Sequence, residues 1–161
     1  MYDREKAVAY AREWAFSRNP EYYIFDEIGG DCTNFVSQCL YAGSGVMNYT
    51  PDFGWYYISP DDRSAAWTGV QYFYNFLTTN EGNGPYGKEL PLALAQAGDV
   101  IQLSFDGISF AHTLIITRII LFPTPRSILL AAHTNDAFDR PLNTYEYEAA
   151  RLIHISGVRG Q

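Results

Sequence analysis

The 161-residue sequence contains no run of about 18 apolar residues, so no segment reads as a membrane-spanning helix. Met1, Tyr2, Asp3, Arg4 and Glu5 lack the charged-then-apolar order of a secretory signal. The chain is therefore expected to be soluble, either cytoplasmic or an exported domain whose signal peptide has been removed. Basic residues are scarce: 11 Lys and Arg stand against 18 Asp and Glu, a formal charge of -7. Neutralising a phosphate backbone requires clustered Lys or Arg, which argues against nucleic acid as a partner. Cysteine is scarcer still. Cys32 and Cys39 are seven apart in a segment of helical pattern, about 10 Å along the axis, which exceeds the Cα separation of a disulfide. Both are expected as free thiols. There is no C-x-x-C, no H-E-x-x-H and no H-x-E with a downstream cysteine pair, so no metal-ligand frame is recognisable. Gly29-Gly30 lacks the following Gly-Lys-Ser/Thr of a phosphate loop.

Apolar and aromatic residues are plentiful, at 47% and 16%, which supplies the core of one domain over residues 1–161 and excludes a disordered chain. Ala7, Val8, Ala11, Trp14 and Ala15 recur at helical spacing, predicting a first helix within residues 3–18 that Asn19-Pro20 closes. A second helix begins near Asp31, a candidate N-cap, presents Phe35, Val36, Cys39 and Leu40 on one side, and stops at Gly43 or Gly45. Residues 46–63 read as an ordered loop, 64–77 as a third helix, and 80–87 as a further loop. Beyond Gly98-Asp99 the pattern turns to strands at 100–105, 112–117, 128–133 and 152–155. Helices first and strands second predict an α+β domain, with the helices on one face of a mainly antiparallel sheet.

The chemistry concentrates at Gly29-Gly30-Asp31-Cys32-Thr33-Asn34-Phe35, a glycine turn that enters a helix at a cysteine. Unpaired N–H groups and the macrodipole at a helix start favour an anion, so the Cys32 thiol is expected to titrate below its usual 8.5 or so if an imidazolium is near. The same N–H groups suit the oxyanion formed when a carbonyl is attacked. The other reading of Cys32 is structural, because positions 32, 35, 36 and 39 share a face and cysteine is often buried. Cys39, in mid-helix, reads as core. His112 opens an apolar strand run and is the candidate general base. His133 closes the neighbouring strand and is followed by Asn135 and Asp136; any of these three suits the orienting role of a third member. His154 reads as structural.

Together these segments resemble the bacterial family of "putative amidase" domains, itself similar to NlpC-type and CHAP-type papain-like cysteine peptidases. The resemblance runs from Arg4-Glu5-Lys6-Ala7-Val8-Ala9-Tyr10-Ala11 and Asn19-Pro20 through Gly29 to Gln38, Trp67-Thr68 and Gly98-Asp99-Val100-Ile101-Gln102, to His112-Thr113 and His133-Thr134-Asn135-Asp136. It implies a papain-like (NlpC-type) fold, Cys32 as nucleophile and His112 as base. His133 is favoured as the third residue, with Asn135, Asp136 and Asp31 as further third or oxyanion candidates. A tyrosine upstream of the cysteine in those peptidases points to Tyr22 and Tyr23 as substrate contacts, beside Trp55 in the aromatic loop.

The activity so implied is hydrolysis of amides or peptides, of peptidoglycan type, through a thioester acyl-enzyme, with no metal and no organic cofactor. Two other activities fit the same residues. An acyltransferase of transglutaminase-like chemistry passes the acyl group to an amine, and a catalytically silent module only binds.

Overall fold

The computed structural model describes residues 1–161. Helix α1 spans Arg4–Trp14 and is capped by Asp3, whose carboxylate accepts from the Lys6 N–H at 3.0 Å. Its buried face is made of alanines, Ala7 and Ala11, which lets it lie close against the second helix. At that crossing Gly43 is required: a Cβ there would stand 2.7 Å from the Asp3 carbonyl oxygen.

Helix α2, Cys32–Ser44, is enclosed on nearly every side and ends at Gly45, which adopts φ 68° and returns its N–H to the Tyr41 carbonyl. Its polar residues are buried too, and each has a partner. Ser37 Oγ donates to Trp67 O and accepts from Trp55 Nε1, Gln38 accepts from the Tyr10 hydroxyl, and Asn34 accepts from Trp67 Nε1. The single apolar stripe of the sequence thus covers only part of what this helix buries.

The expected loop at 46–63 contains a small antiparallel pair, β1 (Tyr57–Ser59) and β2 (Asp62–Arg63). The expected third helix is two: α3 (Ala65–Thr68) and α4 (Val70–Thr79), separated at Gly69, whose extended backbone interrupts the helical ladder. The remaining strands are β3 (Gly84–Leu90), β4 (Val100–Ser104), β5 (His112–Ile119), β6 (Ile128–Ala132), β7 (Ala137–Pro141) and β8 (Ala149–Arg159). They form one six-stranded sheet in the order β3-β8-β4-β5-β6-β7, every pairing antiparallel. The α+β class is as expected from the sequence.

The helices lie on one face of this sheet, and its second face carries a core of its own. Val100, Ile115, Ala131 and Ile153 face the helices, whereas Ile101, Leu103, Leu114, Ile116, Leu130 and Leu152 build a separate core on the other side. No helix covers that core beyond two short 3-10 turns, Leu92–Leu94 and Leu142–Thr144. Burial on both faces is why β4, β5 and β6 read as continuous apolar runs and not as alternating ones. No helix is long and apolar enough to cross a membrane.

Candidate active site

The chain enters α2 through Gly29 and Gly30, both at positive φ (78° and 94°), a conformation open to glycine at little strain. Asp31 follows, buried, but it does not cap the helix with its side chain as the sequence suggested. Its Oδ1 accepts from the Phe25 N–H and from Asn34 Nδ2, both at 2.9 Å, and its Oδ2 meets His133 Nδ1 at 2.5 Å. The carboxylate is therefore turned away from the helix end, and the role of oxyanion residue does not suit it. The first N–H groups of α2 are left to other partners.

Cys32 is the first residue of α2 and lies at the wall of a cleft of about 450 Å³, whose floor is the Gly29-Gly30 turn. His112, the first residue of β5, lines the same cleft. Two threonines join these elements: Thr33 Oγ1 and Thr113 Oγ1 are hydrogen bonded at 2.8 Å, each one residue beyond a candidate catalytic side chain. Burial pushes the Cys32 thiol up from its ordinary value. The Thr113 N–H, then the Thr33 hydroxyl and N–H, pull the other way without overcoming it, and the Asp31 charge adds to the rise. The direction is opposite to the lowered thiol expected from the sequence, because the helix end is desolvated along with the sulfur. His112 moves in the opposite sense. Burial, with the positive charge of Arg140 second, lowers it to about 4. At neutral pH the cleft holds a thiol and a neutral imidazole.

The structure does not bring His133 to His112. His133 Nε2 is 2.8 Å from the Trp14 carbonyl, which only accepts, so Nε2 carries a hydrogen. Nδ1 faces Asp31, and the ring stacks on Phe35 with centroids 3.9 Å apart. Both ring nitrogens are thus occupied on the helix side of the sheet. Pairing of Ile115 with Ala131 explains why: continued along the strands it sets Thr113 opposite His133, and Thr113 points to α2 while its neighbour His112 does not. Asp136 is committed as well, to a bidentate pair with Arg18 at 3.0 Å that also clamps Asp26. Asn135 alone of the three lines the Cys32 cleft. It and Thr134 sit at φ 55° and 69° in the β6–β7 turn, and positive φ at a β-branched threonine is uncommon.

Residues 1–156 match the family described as "putative amidase domain". The chain belongs to that family. A curated relative, the uncharacterized protein YhbB of Bacillus subtilis (strain 168), is 34% identical over 119 residues, which is 72% of this chain and 37% of the relative. The chain accordingly spans little more than a third of that relative's length. No solved structure matches the chain. Membership of an amidase-type family associates the domain with amide hydrolysis.

Three expected ligand contacts of this family member lie elsewhere. Trp55 is fully buried, donates to Ser37 Oγ at 3.0 Å and packs on Trp67, so it is core and closed to a ligand. Tyr22 and Tyr23 border a separate depression with Tyr57 and Pro60. Tyr22 stacks on Trp67, and burial pushes its hydroxyl up to about 12. Cys39 is wholly enclosed, and burial raises its thiol far above the ordinary value. His154 bonds through Nδ1 to Asp99, a buried carboxylate that also holds Arg4 and the Ile155 N–H. Nowhere do three or more His, Cys, Asp or Glu side chains converge as a metal site.

Sequence reasoning missed the far wall of the cleft, formed by Phe105, Arg140, Tyr145 and Glu146. The rings of Phe105 and Tyr145 flank His112 with centroids 6.5 and 6.3 Å away. These residues come from the β4–β5 connection, β7 and the turn after it. The one signal that pointed there was the unexplained polarity of Asp139-Arg140 inside a short strand.

Proposed function

We propose that this domain is a cysteine-dependent amide or peptide hydrolase of papain-like fold, related to the NlpC-type and CHAP-type peptidases, acting on peptidoglycan-type peptides through a thioester. The observation that carries this reading is that Cys32, at a helix start, and His112, at a strand start, line one cleft. Nucleophile and base on two rigid elements bridged by Thr33 and Thr113 is the arrangement such catalysis requires.

The electrostatics favour a general-base route over a preformed thiolate–imidazolium pair. As Cys32 Sγ attacks the amide carbonyl, a ring nitrogen of His112 takes the thiol proton. The new C–S bond places negative charge on the carbonyl oxygen, which the first N–H groups of α2 receive. The imidazolium then protonates the amine nitrogen, the C–N bond breaks, and the amine leaves a thioester. His112, neutral again, takes a proton from water, hydroxide oxygen adds to the thioester carbon, and the thiol departs with its proton restored. Burial serves the second half of each cycle: an imidazole that is hard to protonate is a strong acid once protonated. Asn135 is the residue of the cleft suited to orienting His112, since His133 and Asp136 are engaged in Asp31 and Arg18.

The experiment is intact-mass analysis of the protein with peptidoglycan-derived peptides. The expected result is hydrolysis with a transient acyl adduct on Cys32, both absent in Cys32→Ala. Undiminished hydrolysis by Cys32→Ala would overturn the reading.

A further inference from the structure

Arg140 shares the cleft with Cys32 and His112 but has no part in the proton transfers between them. Its guanidinium is held in place on two sides. Nε donates to Thr144 Oγ1 at 2.8 Å and Nη2 to the Thr144 carbonyl at 2.9 Å, while the plane lies over the Tyr145 ring at 3.8 Å from its centroid. Such stacking and two hydrogen bonds remove most of the rotamer freedom that a surface arginine retains.

No carbonyl or carboxylate meets the remaining edge of the guanidinium, at Nη1; the Tyr145 hydroxyl is the polar group beside Arg140, which takes part in no salt bridge although the chain carries a net charge of -7. By contrast the carboxylates of Asp99, Asp26 and Asp136 are drawn to Arg4 and Arg18. A half-buried, immobilised cation without an anion, in a cleft beside a reactive centre, is a receptor for an anion from outside the fold. Its charge reaches the centre, because it contributes to the lowering of His112. The other residues of the wall bear on the charge of the anion that Arg140 suits. Glu146 lines the same cleft, and its carboxylate opposes a doubly charged phosphate more than a singly charged carboxylate.

We propose that the Cys32 cleft selects amides that carry a free carboxylate near the scissile bond, and that the open edge of Arg140 receives that carboxylate. This specificity rests on the reading of Cys32 and His112 as the reacting pair in the same cleft. Arg140 is a substrate-binding residue in this scheme, Thr144 and the Tyr145 ring position it, and an acidic peptide terminus or side chain is the ligand.

The test uses the whole chain as Cys32→Ala, so that ligands are not turned over, and N-acetylated peptides made in pairs, as the free acid and as the carboxamide. Calorimetric titration is expected to show the acid bound about 10-fold or more tightly than its carboxamide, the difference a charge-assisted pair contributes. In Cys32→Ala/Arg140→Gln the two forms should bind within about twofold. Arg140→Lys, which keeps the charge and loses the fork, should retain only part of the preference. Tyr145→Phe, which keeps the ring, should retain all of it, and inorganic phosphate should not displace the peptide acid. Equal affinity for acid and carboxamide with Arg140 intact, failure of every acid to bind, or a preference that survives Arg140→Gln overturns the proposal. The comparison of acid with carboxamide needs no Arg140 variant and so does not depend on how those variants fold. Acid-selective binding combined with turnover that survives Cys32→Ala removes the cysteine mechanism and leaves the Arg140 site standing; Cys32-dependent turnover with no acid preference does the reverse.

Discussion

Thr33 and Thr113 share a hydrogen bond of 2.8 Å that ties the residue after Cys32 to the residue after His112. The bond is the inner end of a chain: Arg151 donates to Gln102 Oε1, and Gln102 Nε2 donates to Thr113 Oγ1 at 3.2 Å. With Gln102 donating, Thr113 is free to donate its own hydroxyl to Thr33. Helix α2 and strand β5 are thereby held in register at the point where the candidate side chains Cys32 and His112 emerge. Every member of the chain from Gln102 inward is buried.

Thr113→Val should therefore destabilise the fold by about 1 to 3 kcal/mol, because it strands the Thr33 hydroxyl and one Gln102 N–H. Thr33→Val strands less. The double variant should cost less than the sum of the singles, since the second substitution removes a group already left unpaired. Urea unfolding of the four proteins measures the coupling, and strict additivity would show that the two hydroxyls do not interact.

His133→Ala is expected to act on stability first. It empties a buried site stacked on Phe35 and removes the ring nitrogen that meets Asp31 Oδ2, and leaving a buried polar group short of a partner costs about 1 to 3 kcal/mol. Asn135→Gly, which removes the side chain and tolerates the positive φ of this exposed turn, should leave the melting temperature nearly unchanged and lower kcat. A His133→Ala protein of normal stability with abolished turnover would return His133 to the catalytic set.

The helix–cysteine signal was legible because local chemistry made it: two glycines at positive φ and a helix starting at Cys32 need only neighbours in sequence. The apolar runs of β4, β5 and β6 were legible for the same reason. What the sequence withheld depends on pairings between distant residues. His133 looked like a third catalytic residue because it ends a strand beside His112, and only the register and the two-residue alternation show that its neighbour's side chain emerges on the other side. Trp55 looked exposed in a loop rich in Pro and Gly, yet that loop folds over α2 and buries it completely. Strand β7 was missed because Asp139 and Arg140 break its apolar pattern, and Arg140 breaks it in order to face the cleft.

Alkylation separates the two thiols and also the two ways of activating Cys32. Cys39 should be inert in the folded protein, being wholly enclosed. Cys32 should react with iodoacetamide faster than Cys39, but with a rate that climbs through the alkaline range, since burial holds the thiol up. Labelling of Cys32 that is already at its plateau near pH 6 would indicate a preformed thiolate and rule out the general-base route.

His112 makes the stability of the fold depend on pH. Its folded value is lowered from 6.5 to about 4, so between those limits the unfolded chain binds a proton that the folded chain refuses. Stability must then fall as the pH drops from 6.5 towards 4 and be insensitive to this group above 7. The shift corresponds to a loss of about 3 kcal/mol. The window is separate from that of Asp26 and Asp106, whose carboxyls are lowered by hydrogen bonds and whose stabilisation is lost only as the pH falls below the usual carboxylate range. His112→Gln removes the ionisation and should flatten the dependence of unfolding free energy on pH between 6.5 and 4 by close to one proton. Activity should follow the same group, with the acid limb of kcat/KM near 4 where an ordinary histidine would place it near 6.5. Arg140→Gln removes one of the two causes of the lowering and should move that limb upward. Chemical denaturation across this range, with the wild type and His112→Gln side by side, decides the matter: parallel curves would mean that His112 titrates alike in the folded and unfolded chain, and the neutral imidazole on which the proton transfers depend would lose its structural basis.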